Sequence, residues 1–191
     1  MKPFRLAIFA SGSGSNAEAI MKFFEHHAII EVALIISNKE NAGVIEKAKQ
    51  FDVKSLLINK EAFYQSRAVL QILQSHGISH IVLAGFLLLV PDYLIKAYPD
   101  KIINIHPSLL PKFGGKGMYG MHVHRAVITA KENESGLTIH LVNEHFDDGE
   151  ILLQVKCAIE TNDSAETLAK KVLQLEHKHY PRVIADWVGH S

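Results

Sequence analysis

Apolar residues in the first hundred positions come in short runs that do not alternate strictly with polar ones, at 4–10, 31–37, 54–58, 80–84 and 101–105. Such runs suit strands buried on both faces, as a parallel sheet requires. Between them lie stretches with helical spacing, at 16–24, 42–51, 61–76 and 91–97, and Gly77 closes the third as a stop signal. Strands and helices in alternation predict right-handed crossovers and a doubly wound α/β sheet. The second half changes pattern. It predicts a helix over 122–131, then two strands over 136–143 and 150–160 joined by a short acidic turn, hence an antiparallel pair. A long helix over 164–188 ends the chain, with Asp163 or Ser164 as N-cap and Glu166 nearby.

No repeat or low-complexity linker interrupts this order, and 191 residues suit one domain with a sizeable core. Twenty basic and twenty acidic side chains cancel, which leaves no electrostatic footprint for nucleic acid or an anionic membrane. The longest apolar stretch, 81–90, is half the roughly 20 residues that span a bilayer, and no signal peptide is recognisable, so a cytoplasmic protein is expected. The single cysteine, Cys157, excludes an internal disulfide and reads as packing. Twelve histidines invite a metal, but the pairs His26-His27, His122-x-His124 and His177-x-His179 lack ligand spacing. No metal is expected, and most of these histidines read as surface residues.

Candidate chemistry lies in three places. The strand at 101–105 runs into Asn104-Ile105-His106-Pro107-Ser108-Leu109-Leu110-Pro111. Alternation puts Asn104 and His106 on one face, about 7 Å apart at ~3.3 Å per residue. The prolines stop the strand there, at the carboxyl end where open α/β sheets bind ligands. An amide that can donate to an oxyanion thus sits beside an imidazole that can move a proton. Secondly, Ser11-Gly12-Ser13-Gly14-Ser15-Asn16 links the first strand to the first helix. It is neither a dinucleotide fingerprint nor a Walker loop, and it suits one phosphate monoester at a helix start. Thirdly, Asp147-Asp148-Gly149 offers carboxylates in the late turn. A carboxylate beside His106 would hold its imidazolium and raise its pKa.

Together with Leu83-Ala84-Gly85-Phe86 and Glu176-His177, and in this order, these motifs resemble the formyltetrahydrofolate-dependent formyltransferases over nearly the whole chain. The resemblance implies a formyltransferase fold, with about 1–100 binding a ribonucleotide phosphate and about 101–191 carrying catalysis and the folate. It implies 10-formyltetrahydrofolate as cosubstrate, the amine of glycinamide ribonucleotide as acceptor, no metal, and compatibility with a homodimer. Asn104, His106 and Asp147 would be catalytic. Gly14, Ser15, Asn16 and Glu176 would hold the ribonucleotide. Arg67, Leu87, Leu88, Leu89, Val90, Asn104 and Asn143 would line the folate side.

The chain also departs from the family's pattern. Leu87-Leu88-Leu89 stands where some members have a basic residue, the loop 112–122 is long and glycine-rich, and Asp148 takes a place often held by glycine. This leaves Asp147 and Asp148 open as the partner of His106. Two other readings compete: a formyltetrahydrofolate hydrolase-like enzyme, and a non-catalytic nucleotide-binding module of the same fold. The hydrolases carry an additional amino-terminal domain, whereas the first strand here starts at residue 4. Methionyl-tRNA formyltransferases add a tRNA-binding domain, and no basic surplus is present.

Overall fold

A computed structural model describes residues 3–190. Five strands run parallel: β1 (Phe4–Phe9), β2 (Ile30–Ser37), β3 (Ser55–Leu57), β4 (His80–Leu83) and β5 (Ile102–His106). Two more, β6 (Glu134–Leu141) and β7 (Ile151–Ala158), continue the sheet antiparallel in the order β3-β2-β1-β4-β5-β6-β7. Helices α1 (Ser15–Phe24), α2 (Gly43–Gln50), α6 (Met121–Thr129) and α7 (Ala165–Gly189) cover one face. Helices α3 (Lys60–Gln65), α4 (Ala68–Ser75) and α5 (Asp92–Ala97) cover the other. Each central strand feeds both cores: Leu6 and Ile8 of β1 face the first helix layer, Ala7 and Phe9 the second. The mostly parallel α/β sheet and the late antiparallel pair thus form as the hydrophobic pattern predicts.

The helix predicted over 61–76 is instead two. Ser66 adopts an extended backbone between α3 and α4, while its hydroxyl donates to the Ala62 carbonyl and accepts from the Ala68 amide. That side chain offers the backbone a local alternative to the helix ladder, and the chain turns there. At α7 the cap is Ser164. Its capping-box partner is Thr167, with Glu166 in the same first turn. Tyr180, fully buried in α7, donates to the Leu83 and Ile103 carbonyls (2.9 and 3.4 Å), tying this helix to the carboxyl end of β4 and the start of β5.

Strand order reverses between β1 and β4, the first two crossovers building outward one way and the next two the other. A crevice opens at such a switch point, beyond the carboxyl ends of the strands.

Candidate active site

Ser11, just beyond β1, gathers the loops around that crevice. Its amide donates to the Gly85 carbonyl, its hydroxyl donates to Asn38 Oδ1 (2.5 Å) and accepts from the Leu87 amide (3.0 Å). One buried hydroxyl thereby joins the loops after β1, β2 and β4. Gly14 then caps α1 at φ 75°, where a Cβ would meet Val44 at 2.6 Å, so only glycine fits the turn that presents the first amides of α1. These amides and the exposed Lys39 make one end of the cavity electropositive. Asn16 donates to Glu176 Oε2 (2.6 Å), and burial pushes the Glu176 carboxyl up to about 7 although that hydrogen bond pulls it down.

The antiparallel register of β5 and β6 builds the middle of the site. It sets Asn104 opposite His140 and His106 opposite Thr138. Ile103 and Ile105 of β5, and Leu137 and Ile139 of β6, point into the first core. Alternation therefore turns all four polar side chains to the other face. Thr138 fixes the loop that follows His106: it donates to the Ser108 carbonyl (2.7 Å) and accepts from the Leu110 amide (3.0 Å). Gly149 completes the turn after β6, since a Cβ there would lie 1.7 Å from the Leu141 carbonyl oxygen.

Asp147 sits in that turn at φ 55°, a left-handed conformation that aspartate tolerates better than most residues. Its Oδ2 accepts from the Gly115 amide (2.9 Å) and lies 3.5 Å from His106 Nδ1. Its Oδ1 accepts from Asn104 Nδ2 (3.3 Å). Asp148, by contrast, is exposed and lies 3.9 Å from His145. The partner left open between the two aspartates is therefore Asp147 by geometry.

Hydrogen bonds also fix the ring protons. His106 Nε2 donates to the Phe113 carbonyl (2.8 Å), which leaves Nδ1 as the lone-pair atom beside Asp147. His140 Nδ1 donates to the Leu141 carbonyl (2.7 Å), so its Nε2 accepts from Asn104 Nδ2 (3.2 Å). Asp147 does pull the pKa of His106 upward, as expected, but the net result is the reverse. Burial outweighs Asp147 and the Phe113 carbonyl and holds His106 below the usual histidine value. At neutral pH it is a neutral imidazole, poised to accept a proton rather than to give one. For Asp147, burial pulls upward, but the two histidines, through the proton and charge each carries once protonated, and the Gly115 amide hold its carboxyl below the usual aspartate value.

Residues 4–184 match the formyl transferase family. The chain belongs to the formyl transferase family. It is 41% identical over 196 residues to the phosphoribosylglycinamide formyltransferase of Bacillus subtilis (strain 168), covering 99% of this chain and 96% of that protein. It is 40% identical over 186 residues to the chloroplastic phosphoribosylglycinamide formyltransferase of Arabidopsis thaliana, covering 94% of this chain. The chain spans 64% of that plant protein's length. The crystal structure of phosphoribosylglycinamide formyltransferase from Bacillus halodurans superposes with a TM-score of 0.85 at 40% identity, over 94% of this chain and 92% of that one.

In this formyl transferase domain, one cavity of about 880 Å³ gathers most of the expected site. Gly14, Ser15, Asn16 and Glu176, the cluster of Asn104, His106 and Asp147, and the apolar Leu87, Leu88, Leu89 and Val90 all line it. Two expected residues stand apart. Arg67 is exposed at the start of α4 and Asn143 is outside the lining, where its Oδ1 accepts the His145 amide and shapes the turn. Sequence reasoning missed His140, whose place opposite Asn104 follows only from the β5–β6 register. Of the twelve histidines, His80, His106, His124 and His140 are buried, and the other eight are partly or fully exposed, as expected of most of them.

Proposed function

We propose that this chain transfers the formyl group of 10-formyltetrahydrofolate to the amine of glycinamide ribonucleotide. The observation that carries the reading is one cavity lined at once by a phosphate-type loop, Glu176, the Asn104–His106–Asp147 cluster and an apolar wall. Family membership and the names of the relatives support the same reading. The α1 amides and Lys39 suit the ribonucleotide phosphate, and Asn16 with Glu176 suits its sugar and amine end. The 87–90 wall suits the flat pterin.

The chemistry needs no covalent enzyme intermediate. The ribonucleotide amine attacks the formyl carbon, a C–N bond forms and the carbonyl electron pair moves onto oxygen. His106 Nδ1 takes the proton that the attacking nitrogen sheds. Asp147, 3.5 Å away, stabilises the imidazolium so formed. The same imidazolium returns the proton to the leaving folate nitrogen as its bond to carbon breaks. Asn104 would steady the oxygen by exchanging one of its two long hydrogen bonds for it. The cytoplasm and action on small molecules alone, with a homodimer as the assembly, belong to the same reading. Among the described residues no helix is long and apolar enough to cross a membrane.

The test is formyl transfer at neutral pH with both substrates, run beside His106→Ala. Turnover that needs both substrates and collapses in the variant supports the proposal. Folate deformylation without the ribonucleotide would identify a hydrolase instead, and ligand binding without turnover a binding module.

A further inference from the structure

A tetrahedral oxyanion needs free donors, and the residues named so far have few to give. Both Asn104 amide protons are directed at protein acceptors, His140 Nε2 and Asp147 Oδ1. The ring proton of His106 goes to the Phe113 carbonyl, and the Gly115 amide goes to Asp147. Lys116 on the rim is an exposed, flexible point charge.

His124, in the first turn of α6, is different. It lines the same cavity, is only 5% exposed, and makes no hydrogen bond. Nδ1 is sealed from solvent without a partner. Nε2 is not sealed, so it is the ring nitrogen that a cavity ligand can reach. A sealed, orphaned N–H is rarer in proteins than an under-satisfied acceptor, so the neutral ring carries its proton on Nε2. An N–H held at a cavity wall with no protein acceptor is a donor kept for a ligand. Burial, reinforced by repulsion from His106 whenever that ring is protonated, holds His124 below the ordinary histidine pKa and so in this neutral form.

We propose that His124 is a further catalytic residue of this site, its Nε2–H donating to the formyl oxygen as that oxygen gains negative charge. The inference rests on the formyl-transfer reading above. His124 exchanges no proton in the step: as the amine adds, the hydrogen bond shortens, and it relaxes when the carbonyl re-forms. Asn104 and His124 are then paired donors, one contributed by β5 and one by α6.

The test compares three variants of the full chain, with kcat and KM determined for both substrates and folding checked by thermal melting. His124→Leu removes the donor. His124→Gln keeps an amide N–H near the Nε2 position, whereas His124→Asn places it near the sealed Nδ1 position. The expected result is a fall in kcat on the order of 10²-fold for Leu and Asn, as for loss of one oxyanion donor, with KM within a few-fold and most of kcat restored by Gln. Should Leu fail to melt cooperatively, the Gln–Asn contrast decides alone. Equal kcat for Gln and Asn would overturn the proposal, as would a loss confined to the ribonucleotide KM. An active wild type that needs His106 but tolerates His124→Leu refutes only this inference. An inactive wild type refutes the function on which it rests.

Discussion

His106 couples the two sides of the site through its own protonation. Because burial lowers its folded-state pKa, the neutral, proton-accepting ring dominates throughout the region around pH 7. We expect kcat/KM to be flat there and to fall only as pH drops below the usual histidine value of about 6.5. An acid limb centred above that value would mean that Asp147 outweighs burial. Much at this scale was legible: Asn104 and His106 follow from strand alternation and two prolines. The choice of Asp147 over Asp148 was not, because it depends on a left-handed turn that aims one carboxylate inward and leaves its neighbour in water. The burial of His124 was equally hidden. Its helix, α6, packs against α7, which begins 36 positions after α6 ends.

Among the elements, the turn into α1 is the most constrained. Gly14→Ala forces a left-handed φ on a residue with a Cβ and drives that atom into Val44. Backbone strain of this kind costs about 1–3 kcal/mol. The variant should melt several degrees lower and show a raised KM for the ribonucleotide, with the folate KM little changed. A wild-type melting temperature would argue that the loop relaxes freely. Sequence pattern located this turn because Gly and Ser mark it directly. The same reasoning joined 61–76 into one helix because both of its halves carry helical spacing, and the break rests on a single hydroxyl, Ser66, whose competition with the backbone leaves no periodic signature.

At the scale of the whole molecule, His80 is an acid-sensitive point in the sheet. It is 1% exposed on β4, edge-on to Phe4 and Trp187. Burial, helped by the charge of Lys101, lowers its pKa to about 4. In the unfolded chain the ring protonates near 6.5, so unfolding takes up a proton between these two values. The stability it confers is complete above about 6.5 and is lost as pH falls towards 4, amounting to ~3 kcal/mol. His80→Phe should therefore flatten the fall in melting temperature between pH 6.5 and 4.5, and an unchanged slope would place the acid-sensitive group elsewhere. The doubly wound core was readable from the first hundred residues, since non-alternating apolar runs admit few other architectures. Which polar groups the late antiparallel pair brings together was not, because register is a property of two strands and neither carries it alone.

Ser11 gives the molecule a last property. Its hydroxyl and amide bridge the phosphate-type loop to the backbone at Gly85 and Leu87, which begins the apolar wall of the cavity. Whatever seats itself on the loop therefore stiffens the start of the wall. The two ligands should sense each other: the dissociation constant of a folate analogue measured with and without ribonucleotide should differ, and Ser11→Ala should bring the two values together. Identical values in the unaltered protein would show two halves that merely share a wall.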